Sequence, residues 1–159
     1  MKTAVFVLKD KQFFTREDGR IKLAGNPISV AKELRESGVR LLHIEDADIK
    51  TLGNFDVYDK LMYIINIEVE APCDEKIVKK LLGLQVRVVV NLPCAKLEKF
   101  KESKKLLVGK IKRWENIEGI DAVNDVIVFS EEDIEKAENL GKRVIFWGKT
   151  KMRVFCQII

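Results

Sequence analysis

The chain has 159 residues, of which 47% are hydrophobic and 34% charged, with a formal net charge of +4. Those totals fit one packed domain, 1–159, and exclude a disordered or low-complexity protein. No stretch approaches the ~18 apolar residues of a membrane span. Lys and Glu are interleaved rather than gathered into a basic stripe, so neither membrane nor nucleic acid is expected as a partner.

The first apolar run, residues 3–8, is too short for a signal peptide and reads as a strand, which makes the cytoplasm the expected location. A β-hairpin follows, with Gln12-Phe13-Phe14 and Arg20-Ile21-Lys22-Leu23 flanking a turn at Asp18-Gly19. That pair supplies the positive φ a tight turn needs. Residues 27–37 form the clearest helix: Asn26 can cap it, Pro27 suits its first position, and Gly38 stops it.

Strands are expected over 40–45, 64–70, 86–90, 106–111 and 125–129, with helices over 55–63, 74–82 and 95–102. Trp114, Ile117 and Ile120 space like one face of a short helix, and Ser130-Glu131-Glu132-Asp133 resembles a capping box opening a helix to Leu140. The runs 143–147 and 153–158 are separated by only five residues. A parallel crossover takes a dozen or more, so a C-terminal antiparallel hairpin is expected.

Strand–helix alternation of this kind predicts a mainly parallel α/β sheet. With seven or eight strands in a chain much shorter than the ~250 residues of an ordinary (βα)8 barrel, the architecture is a compressed TIM-barrel-like fold; the alternative is an open α/β sheet. Cys73, Cys94 and Cys156 show no C-x-x-C spacing and the chain has one histidine, so free thiols, no metal site and no cofactor are expected. Abundant Lys, Glu, Ile and Val with only three Gln gives a thermophilic-like composition.

One string carries a family resemblance. Gly25-Asn26-Pro27-Ile28-Ser29-Val30-Ala31-Lys32-Glu33-Leu34, then Gly38, then Leu41-Leu42-His43-Ile44-Glu45-Asp46-Ala47-Asp48 is similar to a segment of the histidine-biosynthesis (βα)-barrel enzymes. These are the phosphoribosyl-formimino-aminoimidazole-carboxamide ribotide isomerase and the cyclase subunit of imidazole glycerol phosphate synthase. The match covers roughly residues 12–61. It implies a barrel with a catalytic Asp at the ends of its first and fifth strands and phosphate-binding glycine turns. Here those strand positions fall on Val7 and Lys110, and prolines (Pro72, Pro93) stand in two of the turns, removing N–H donors. The family's own chemistry is therefore not expected.

If the strands are parallel, their C-terminal ends share one face, where barrels place their sites. That face gathers Lys9, Asp46, Asp48, Glu68, Glu70, Asn91, Lys110, Ser130 and Lys149. Asn66, Glu68 and Glu70 alternate with apolar residues, so this polar row must line the interior or a solvent gap. Asp46 is the residue retained from the family's L-H-x-x-D pattern; Asp46, Glu68 and Lys110 are the catalytic candidates. Lys9, Asp48, Glu70, Asn91, Ser130 and Lys149 are the candidates for holding a ligand. A strand-end ion pair is the plainer reading of Lys110 with Glu68 or Glu70, and a core imidazole that of His43.

Two functions follow as expectations. The first is a non-catalytic binding or interaction protein with a small-molecule ligand, assembled as a homo-oligomer through an apolar C-terminal edge bearing Val144, Phe146, Val154 and Phe155. The alternative is a divergent isomerase- or lyase-type enzyme acting on a small carbonyl or sugar-phosphate compound.

Overall fold

A computed structural model describes residues 1–159. Eight parallel strands close into a barrel: β1 (Lys2–Lys9), β4 (Leu41–Asp46), β5 (Asn66–Ala71), β6 (Arg87–Asn91), β7 (Leu107–Lys110), β8 (Asp125–Val128), β9 (Arg143–Trp147) and β10 (Cys156–Ile158). The compressed TIM-like architecture is thus present. The hairpin β2 (Gln12–Glu17) and β3 (Arg20–Gly25) lies outside the ring. Both of its turns, Asp10-Lys11 and Asp18-Gly19, have positive φ at both residues, the geometry whose twist suits two adjacent strands.

Four α-helices pack outside the sheet: α1 (Pro27–Glu36), α2 (Phe55–Leu61), α3 (Glu75–Gly83) and α4 (Glu131–Asn139). Asn26 caps α1 and Asp74 caps α3, each through its side chain. Ser130 stands at the N-cap of α4 but its hydroxyl makes no capping bond, so the expected capping box is incomplete. The crossovers after β6 and β7 are abbreviated to 3-10 turns, at Ala95–Leu106 and Ile120–Ala122, where short helices were expected. In the first of these, Phe100 and Ser103 leave helical φ/ψ. These abbreviated crossovers, together with the helix-free return from β9 to β10, compress the barrel. Gly119 is required where the two segments meet: its φ is +98°, and a Cβ there would lie 2.3 Å from the Cys94 carbonyl oxygen.

The C-terminal hairpin does not form. β10 runs parallel to β9, with Cys156 beside Ile145, and parallel to β1, with Lys2 beside Gln157. The dozen-residue rule presumes a helix on the return path. At ~3.3 Å per residue, the eight residues between β9 and β10 reach ~26 Å when extended, ample for retracing a five-residue strand. The apolar edge expected to recruit a second copy is therefore closed. The free edge of the sheet is β3, where Arg20 and Lys22 discourage strand addition.

Since β4 occupies one edge of β1, the other is shared: its first residues pair with β10 and its last with β2. The hairpin thus fills the upper half of the seam. Two apolar clusters result. The larger, of 33 residues, lies between strands and helices; the smaller, of seven, contains only strand residues such as Leu41, Val89, Val108, Ile127 and Ile145, and fills the barrel. The expectation of free cysteines is corrected as well. Cys73 and Cys94 form a disulfide joining the loops after β5 and β6, because parallel neighbours bring equivalent loop positions together; Cys156 alone is free, buried against the Thr3 hydroxyl.

Candidate functional site

Side-chain alternation decides which candidates can meet. On β4, Leu41, His43 and Glu45 point into the barrel, whereas Leu42, Ile44 and Asp46 point to the helices. Asp46 therefore lies on the far side of the wall from Glu68 and Lys110. One of its carboxylate oxygens accepts from the Asp48 amide (2.7 Å) and from Asn54 Nδ2 (2.8 Å); the other accepts from the Tyr58 hydroxyl on α2. Burial raises its pKa, against the lowering by Asn54 and the Asp48 amide.

Asp46 ties β4 to α2, and the structure does not bring it together with Glu68 and Lys110, with which the sequence grouped it. Asp46→Ala is expected to cost roughly 2–3 kcal/mol, since it strands the buried Asn54 and Tyr58 donors. The loss is read as a lower urea midpoint at unchanged slope; an unchanged midpoint would remove the structural role. Asp48 belongs to the same tie, accepting from the Asp10 amide and from Asn54.

Glu68 and Glu70 both face inward, as the alternation of strand β5 requires. Of the two carboxylates expected beside Lys110, Glu70 is the one it meets, and Glu68 finds other partners. Glu68, fully buried, accepts from His43 Nδ1 at 2.8 Å and from Arg87 at 3.3 Å. Lys110 donates to Glu70, not Glu68, and its ammonium lies 4.6 Å from the Trp147 ring centre. Burial would raise the Glu70 carboxyl, but His43 and Lys110 outweigh it and bring the pKa down to about 2. Beyond Glu68, Arg87 reaches Asp125 at 2.7 Å, and Asp125 also accepts from Arg143 at 2.8 Å. The Asp125 carboxyl is likewise low, because the two guanidiniums overcome its burial.

The interior thus holds an alternating series from one mouth to the other: Lys110, Glu70, His43, Glu68, Arg87, Asp125, Arg143. Low dielectric strengthens each link, and a missing member would leave its neighbours with uncompensated charge. His43 sits between two carboxylates with Nε2 3.7 Å from Glu70 Oε1, within ion-pair reach but beyond hydrogen-bond reach, and Trp147 stands edge-on to it at 5.1 Å. Burial pulls its pKa down, yet Glu68 and Glu70 raise it overall above the ordinary value. The imidazole is tied to a carboxylate, not to the backbone carbonyl that a core histidine usually finds.

The remaining candidates do not converge. Lys9, Asn91, Ser130 and Lys149 are exposed on the C-terminal rim, and none makes a side-chain hydrogen bond. No group of three or more His, Cys, Asp or Glu side chains is placed to hold a metal ion. Arg87, Asp125 and Arg143 were missed. A faint signal existed: each is the charged first residue of a strand whose following residues are apolar.

Fold and interior together define a closed eight-stranded parallel barrel whose buried charges, from Lys110 to Arg143, are paired with one another. No family model and no curated protein matches the chain.

Proposed function

We propose that the protein is a divergent relative of the histidine-biosynthesis barrels that binds a small ligand without transforming it. One observation carries this reading: the groups from which a barrel enzyme would draw its acid, base or nucleophile are engaged with each other. Val7, at the position of the family's first catalytic Asp, is buried and cannot move a proton. Lys110, at the second, holds Glu70 and lies against Trp147, where its ammonium is no nucleophile.

A cytoplasmic location is part of the proposal. No helix is long and apolar enough to cross a membrane. The Cys73–Cys94 disulfide fits the intracellular proteins of hyperthermophiles, in keeping with the Lys- and Glu-rich composition.

A divergent isomerase or lyase is the second reading, favoured by the unpartnered Nε2 of His43 beside Glu70 and Lys110. Borohydride reduction in the presence of glyceraldehyde 3-phosphate, followed by peptide mass mapping, separates the two. Background modification of exposed lysines only is expected; a stoichiometric adduct at Lys110 would establish the enzyme reading instead.

A further inference from the structure

The cavity that reaches the barrel interior opens at the N-terminal end, opposite the face where barrel enzymes work. Its volume is about 340 Å³, within the range of small-molecule sites. The walls are apolar, formed by Leu41, Ile67, Val86, Leu106 and Phe155; the polar groups are Arg40, Asn66, Gln85 and Arg87, and no Asp or Glu lines it. Arg87 is the member that connects this cavity to the interior charges. Its Nε and one terminal nitrogen, Nη2, serve Glu68 and Asp125, while Nη1 makes no hydrogen bond to protein.

The geometry points to this cavity as the binding site for a small monocarboxylate with an apolar body, its carboxylate on Arg87 Nη1 and Arg40. This rests on the binding-protein reading above and gives it a site and a ligand class. Three features select the chemistry. Apolar walls reward hydrocarbon burial. The absence of acidic lining and the presence of two arginines favour an anion and repel an amine. Most of the Arg87 charge is already shared by two carboxylates, so the remaining field matches one negative charge better than the two of a phosphate monoester. A guanidinium with a free edge also suits a planar carboxylate.

Octanoate, octylamine and 1-octanol serve as probes against the full-length, ¹⁵N-labelled chain, followed by amide chemical shifts. Octanoate is expected to produce saturable shifts at Ile67, Val86 and Leu106, with octanol weaker and octylamine without effect. Arg40 is exposed, so Arg40→Glu should fold normally; it is expected to weaken octanoate about tenfold, the scale of one lost charge-assisted contact. Asn66→Trp, at an exposed residue lining the cavity, should fill it and abolish binding. Equal binding of octylamine, shifts confined to the C-terminal rim, or an Arg40→Glu variant with unaltered affinity would each overturn the proposal. Those outcomes leave the non-catalytic reading standing, whereas a Lys110 adduct removes that reading without touching the cavity result.

Discussion

Glu68→Gln is expected to lower the melting temperature by roughly 6–12 °C. Glu68 is fully buried and is the one carboxylate that joins His43 to Arg87. Glutamine keeps the volume but not the charge, leaving two cationic groups facing each other across a neutral amide. Breaking a buried ion pair on one side costs roughly 3 kcal/mol or more. In a chain of this size that corresponds to about 2–4 °C per kcal/mol. Glu98→Gln, which removes an exposed pair with Lys101, is the control and should stay within about 0.5 kcal/mol of the parent. Calorimetry on the two variants decides the matter: equal losses would mean that the interior charges are not coupled into a stabilising series.

The second large effect is on acidity. His43 is the chain's only histidine, so its imidazole resonances titrate without overlap. Its folded pKa lies above the unfolded value of 6.5. Its contribution to stability is therefore complete below about pH 6.5 and disappears as pH rises through the folded pKa. Glu70 works from the other side, with a folded pKa of about 2 against 4.5. Its contribution is present above about pH 4.5 and is lost as pH falls toward 2; being partly exposed, it is worth on the order of 2–3 kcal/mol. Stability should accordingly be greatest between about pH 4.5 and 6.5 and decline on the alkaline side. Denaturant midpoints measured from pH 4 to 9, alongside the NMR titration, give the check. A His43 signal titrating below 6.5, or stability that climbs toward pH 9, would contradict the paired imidazole.

Much of the frame was readable from local pattern, because β-branched runs, the Asp18-Gly19 turn and the Asn26 cap act over a few residues. Closure of the ring was not. The last run, 153–158, announces a strand, but its parallel place between β1 and β9 is fixed by register with those strands rather than by its own sequence. The disulfide was hidden for a similar reason: Cys73 and Cys94 become neighbours only once β5 and β6 are parallel, although each follows a proline just beyond its strand, as Ala71-Pro72-Cys73 and Leu92-Pro93-Cys94. In the interior, period-two alternation exposed Glu68 and Glu70. Arg87, Asp125 and Arg143 fall within runs that read as strands, but nothing local reveals that three such residues meet across a barrel. Asp46 shows the opposite failure, since a matched motif position carried no information about which face of the strand it occupied.

The seam between β1 and β10 rests on only two registered pairs, Lys2 with Gln157 and Thr3 with Ile158, while the β1–β4 ladder has six. Native-state opening follows the weakest ladder. Fraying of the last strand would then precede any separation elsewhere in the ring, and it would uncover the Cys156 thiol beside Thr3 while the other seven strands stayed together. Solvent, or an oxidant carried with it, would enter this barrel through its side rather than through either end.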